Sequence, residues 1–72
     1  MTKDYKYLLG RNIKAERTRK DITQEQFAEM IDISVSHMSK IEQGLTSPTA
    51  IVLYKMSKTL QIPMEEFFKG LE

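Results

Sequence analysis

Apolar residues return every three or four positions along most of this chain, and nowhere do they alternate with polar ones over a strand's length. The pattern predicts five short helices. The first runs from about Tyr5 to Arg19, with Leu9, Ile13 and Glu16/Arg17 at i, i+4 spacing, Leu8 beside them and Lys20-Asp21 at its end. The second starts at Thr23, an N-cap with Gln26 three residues on, the reciprocal S/T-x-x-E/Q box. Its core face is Phe27, Ala28 and Ile31. The third follows Ser34, a good N-cap, turns Met38 and Ile41 inward, and stops at Gly44. Leu45-Thr46-Ser47-Pro48 connects to a fourth helix, capped by Thr49, with Leu53, Met56 and Leu60 on one stripe. Pro63 suits the first position of a fifth helix carrying Met64, Phe67 and Phe68, and Glu65 and Glu66 complement its dipole. The expected fold class is all-α, five helices around one small core, with the five methionines mostly filling it.

Seventy-two residues make one domain, 1–72. A chain this small buries about 60% of its unfolded surface. Its core supplies on the order of 3–5 kcal/mol. No cysteine is present, so neither a disulfide nor a thiolate metal site adds to that, and the composition suits a reducing cytoplasm. Tight helix packing and oligomerisation remain as sources of stability. Charged and polar groups interrupt residues 1–7 before any apolar run, unlike a signal peptide. The longest apolar run, residues 50–54, is far too short to span a bilayer. A soluble cytoplasmic protein with no membrane partner is expected.

Only Asp32-Ile33-Ser34 separates the second and third helices. So short a linker forces a steep crossing, the helix-turn-helix geometry, over residues 23–44. Ala28 is small where the two helices come closest. Such a pair delivers side chains into a DNA major groove. The net charge of +1 divides unevenly: residues 1–20 hold seven cations against two carboxylates, and residues 21–72 hold four against eight. That asymmetry fits a basic face for phosphate or a solvated surface helix, and charge alone favours the second.

Several segments share one pattern. They are Leu9-Gly10-x-x-Ile13-x-x-x-Arg17, Thr23-Gln24-Glu25-x-Phe27-Ala28, Ser36-x-Met38-Ser39-x-Ile41-Glu42-x-Gly44, Pro48-Thr49, and Leu60-x-Ile62-Pro63-Met64-Glu65-Glu66-Phe67-Phe68. In this order and at these spacings the chain resembles the lambda-repressor/Cro type of helix-turn-helix regulators, the XRE-like family. Its size is similar to that of small stand-alone controllers and phage-type repressors. Two positions depart from the family: Asp21 and Asp32 stand where glycine is common. Both are expected to adopt a left-handed backbone, which Asp tolerates better than most residues.

The resemblance implies double-stranded DNA as partner, with the third helix in the major groove. Val35, Ser36 and Lys40 are the expected base contacts, with His37 and Ser39 beside them. Lys40 suits guanine O6/N7, Val35 a thymine methyl, and Ser36 several bases. Phosphate contacts are expected from Thr23, Gln24, Ser34, Gln43, Thr46 and the main chain around Leu45. The alternative for each is a solvent-facing residue of a surface helix. Glu42 opposes the dipole of its own helix, so something should offset it. The resemblance names Arg17, in a partly buried ion pair; otherwise the two are exposed charges that never meet. Ile51 and Val52 are apolar where the family tends to be polar, and with Phe68 they suggest a homodimer through residues 49–70. Rotation of these helices to bury all three in a monomer is the other possibility.

The function these features point to is a sequence-specific DNA-binding regulator, a repressor acting as a homodimer on a palindromic operator. The competing reading is a protein-interaction module, antitoxin-like or an adaptor, with its helix-turn-helix secondary. An enzyme fails on inventory: one histidine, no cysteine, no glycine-rich phosphate loop and no paired acids for a pocket. His37 lacks neighbours at metal-ligand spacing. No cofactor, metal or small-molecule ligand is expected.

Overall fold

Side-chain caps decide where the helices begin. In the computed structural model, which describes residues 4–72, the elements are α1 (Tyr5–Arg19), α2 (Gln24–Met30), α3 (Val35–Glu42), α4 (Ala50–Leu60) and a 3₁₀ turn at Met64–Phe68. Residues 1–3, part of the polar opening discussed above, lie outside the described residues. Asp4, Thr23, Ser34 and Thr49 each accept a backbone N–H three residues on, from Tyr7, Gln26, His37 and Val52. At Thr23 the box closes reciprocally, since Gln26 Oε1 accepts the Thr23 N–H at 2.9 Å. A cap of this kind contributes about 1 kcal/mol.

The helix ends repeat one device. Asp21, Asp32, Gly44 and Gln61 all have left-handed backbones, at φ 60°, 62°, 80° and 57°. The next residue in each case, Ile22, Ile33, Leu45 or Ile62, donates its N–H five residues back, to Arg17, Ala28, Lys40 or Ser57. This is the Schellman arrangement, in which an apolar residue follows the left-handed one. Ile22, Ile33 and Ile62 pack against the core; Leu45 is exposed. Both aspartates thus take the expected backbone, and Gln61 adds a third non-glycine residue to it.

The expected fifth helix is corrected. Among the described residues there are four α-helices, and Met64–Phe68 is a 3₁₀ turn. Pro63 is its extended N-cap (ψ 148°) rather than its first helical residue, and it has no cap hydrogen bond. Five residues close too few i→i+4 bonds to offset α-nucleation. Tertiary contacts hold the turn instead: Phe67 is fully buried, and Asn12 Nδ2 donates to the Phe67 and Lys69 carbonyls at 2.8 and 2.7 Å.

The core draws Leu9 and Ile13 from α1, Phe27 and Ala28 from α2, and Ile31 just beyond it. Met38 and Ile41 come from α3, Leu53, Met56 and Leu60 from α4, and Phe67 from the turn. Met38 and Met56 fill the core as expected, but Met30 stands on the exposed side of α2. Among the described residues no helix is long and apolar enough to cross a membrane. Where α1 meets α3, the backbones nearly touch. A Cβ at Gly10 would run into the Ile41 carbonyl oxygen and sit 2.9 Å from that of Glu42. We predict that Gly10→Ala destabilises the domain by about 1–3 kcal/mol, although alanine is the better helix former. A urea titration checks this, and an unchanged midpoint would contradict the close approach.

Candidate nucleic-acid interface

The short turn between α2 and α3 leaves one face of α3 uncovered. Met38, Ile41 and Glu42 point inward, whereas Val35, Ser36 and Lys40 are exposed and His37 and Ser39 lie half-buried at the edge. All five candidate base contacts therefore stand on or beside the open face. Lys40 is the only Lys or Arg within residues 23–44. The candidate phosphate contacts are more occupied. Thr23 and Ser34 are exposed, with their hydroxyl oxygens accepting the cap bonds, which leaves each hydroxyl proton to donate. Gln43 donates to Ser39 Oγ at 2.6 Å, and Thr46 is half-buried. The Leu45 side chain is exposed, but its main-chain N–H is already donated to the Lys40 carbonyl at 2.9 Å. The main-chain donor read at Leu45 from sequence is thus taken up in closing α3.

Behind this face lies a buried ion pair. Arg17 Nε meets Glu42 Oε2 at 2.7 Å and Nη2 meets Oε1 at 2.9 Å, a bidentate fork with side chains 8% and 2% exposed. Arg17 Nη1 also donates to the Ile22 carbonyl at 2.8 Å, in the turn before α2. Gln24 Nε2 adds a further donor to Glu42 Oε1 at 3.0 Å. Among the described residues no buried side-chain nitrogen or oxygen lacks a partner. The pairing of Gln24 with Glu42 had no local signal, because the two residues are eighteen apart.

Some charges of α1 and its C-cap Lys20 are paired and others are not. Arg19 grips both Glu16 oxygens at 2.8 Å, while Lys6, Arg11, Lys14 and Lys20 are exposed. Further along, Glu66 hydrogen-bonds the Lys69 ammonium, and its charge adds to the effect, raising that amine above its ordinary range. On α4, Ile51 is 66% exposed, and Phe68 is 38% exposed in the 3₁₀ turn. Val52 is half-buried against the core, so the three candidate interface residues are not equally available. Tyr54, one turn after Ile51, is also exposed and was missed from sequence; Lys58 Nζ lies 5.9 Å from its ring centre. In the single chain α4 does not rotate far enough to bury Ile51.

Residues 13–67 match the family model described as helix-turn-helix. Control protein C.MunI of Mycoplasma sp is 36% identical over 70 residues, covering 96% of this chain and 95% of its own length. A transcriptional regulator of Rhodospirillum rubrum is 33% identical over 89% of this chain, which spans only 59% of that relative. Among solved structures, the restriction-modification controller C.AhdI of Aeromonas hydrophila superposes with TM-score 0.81 over 86% of this chain and 94% of its own. At 24% identity it speaks for the fold alone. The P22 c2 repressor, solved with a synthetic operator, is 31% identical with TM-score 0.77 over the same shares.

The buried fork sets a stability expectation. Glu42→Ala leaves the Arg17 guanidinium buried without its counter-charge, which costs about 3–5 kcal/mol. That approaches the whole stability of so small a core. A large fraction of the variant, up to about half, should be unfolded at room temperature by far-UV circular dichroism. A loss near zero in a denaturant titration would show that the fork contributes nothing.

Proposed function

The chain belongs to the helix-turn-helix family of XRE-like transcriptional regulators, and from that membership we propose a sequence-specific repressor, acting as a homodimer on a palindromic operator. The observation that carries this reading is the open face of α3, with Val35, Ser36 and Lys40 held outward on a rigid helix pair. Insertion of α3 in the major groove brings Lys40 to guanine O6/N7, Val35 to a thymine methyl and Ser36 to a base edge, with His37 and Ser39 flanking them. The Thr23 and Ser34 hydroxyls, the Gln24 and Gln43 amides and Thr46 meet the sugar-phosphate backbone around that groove. The Leu45 amide is not among these donors, since it closes α3.

One cation on the reading helix makes each subunit a weak binder. Pairing two subunits on half-sites about 34 Å apart supplies the missing affinity and the specificity. The exposed Ile51 and Phe68, with the half-buried Val52 and the added Tyr54, form the proposed dimer surface.

Two experiments test the proposal. Selection from random duplexes at low salt should recover a palindrome, with affinity falling steeply as salt rises. Lys40→Ala should then lose about 1–3 kcal/mol of discrimination at one base pair of each half-site. No binding at low salt would reject DNA recognition and favour a protein-interaction module. In sedimentation, the parent chain should run as a dimer and Ile51→Glu as a monomer. Identical monomeric mass in both would remove the homodimer.

A further inference from the structure

We propose that the buried Arg17–Glu42 pair supports the DNA-binding surface from behind, because Glu42 positions the Gln24 amide for a backbone phosphate. The inference rests on the DNA-binding reading above. Gln24 is the first residue of α2 and half-buried, and its Nε2 lies 3.0 Å from Glu42 Oε1. A carboxylate only accepts hydrogen bonds, so the amide must turn its NH₂ toward Glu42 and its carbonyl oxygen away. The second Nε2 hydrogen is then left to donate outward. The backbone below it is equally constrained, since the Thr23–Gln26 box fixes where α2 begins. The rotamer freedom of a long amide side chain is thereby lost in the free protein rather than on binding, and such preorganisation raises affinity.

Arg17 acts here through Glu42 in two ways, as a positioning residue. Its fork holds both carboxylate oxygens, so Glu42 cannot swing away from Gln24. Its charge also cancels that of Glu42. A bare carboxylate at this distance from Gln24 would repel the phosphate that the amide is to meet.

The test combines a binding cycle with a measurement on the unsubstituted protein. Arg17→Lys, Gln24→Ala and the double variant are titrated against the selected operator duplex, at a temperature where circular dichroism shows each folded. Gln24→Ala should weaken binding by about tenfold, a change of about 1.4 kcal/mol. Arg17→Lys keeps the charge but loses the bidentate fork, and should weaken binding by a similar factor. The double variant should match Gln24→Ala alone, because both changes remove the same contact. If the two losses multiply instead, toward a hundredfold, the inference is overturned while DNA binding stands. Side-chain amide relaxation by NMR should show the Gln24 NH₂ group ordered in the free parent chain. A freely rotating amide overturns the inference without any substitution, which covers the case in which Arg17→Lys does not fold. Failure of the parent chain to bind any duplex overturns the DNA reading and this inference with it.

Discussion

The bidentate bridge between Arg17 and Glu42 is the constraint on which the other parts of this small domain depend. Burying two opposite charges is costly and is tolerated only where geometry and extra hydrogen bonds compensate. Here both conditions hold: two short N–H···O contacts form the fork, the Ile22 carbonyl takes another guanidinium hydrogen, and Gln24 adds a third donor to the carboxylate. The elements thereby joined are α1, the turn after it, the first residue of α2 and the last residue of α3. Gly10 belongs to the same junction. Only its missing side chain lets α1 approach the Ile41 and Glu42 carbonyls closely enough for the fork to close at these distances.

A domain with so little core cannot let its helices fray, and its termini show how it avoids this. Four side-chain caps open the helices and four left-handed residues close them. At each closing, an N–H reaches five residues back and an apolar side chain follows the turn. Three of those apolar residues extend the core into the connections. The stops therefore do more than satisfy carbonyls. They convert loop residues into packing surface, which a chain of this length needs.

This also explains what could be read from sequence and what could not. Caps and stripes are local, so Thr23 with Gln26, Ser34, Thr49 and the Phe27, Ile41 and Leu60 faces were legible, as were the two aspartates in turns. The 3₁₀ turn was not, because Pro63-Met64-Glu65-Glu66 carries the composition of an α-helix start. What decides its form is the distant Asn12, whose amide takes two carbonyls of the C-terminal segment. The Gln24 amide follows the same rule, since nothing near it announces Glu42. The Leu45 N–H is the opposite case: its acceptor lies five residues back, in the closure that Gly44 marks. Local stops and long-range partners together determine which polar groups of the candidate site are available and which are engaged.

An eight-residue helix such as α3 is too short to persist by itself in water. It survives because it is held at both ends. Ser34 and the Ile33-to-Ala28 hydrogen bond secure its start; Glu42, Gly44 and the contact with Gly10 secure its finish. Its orientation is consequently a property of the core rather than of its own sequence. The outward residues Val35, Ser36 and Lys40 can then vary in chemistry without altering where the helix points. A fold arranged in this way separates the question of where to read from that of what is read. On the proposed DNA-binding reading, substitutions on the open face of α3 change partner preference, whereas substitutions at Gly10, Arg17 or Glu42 change whether there is a face to present.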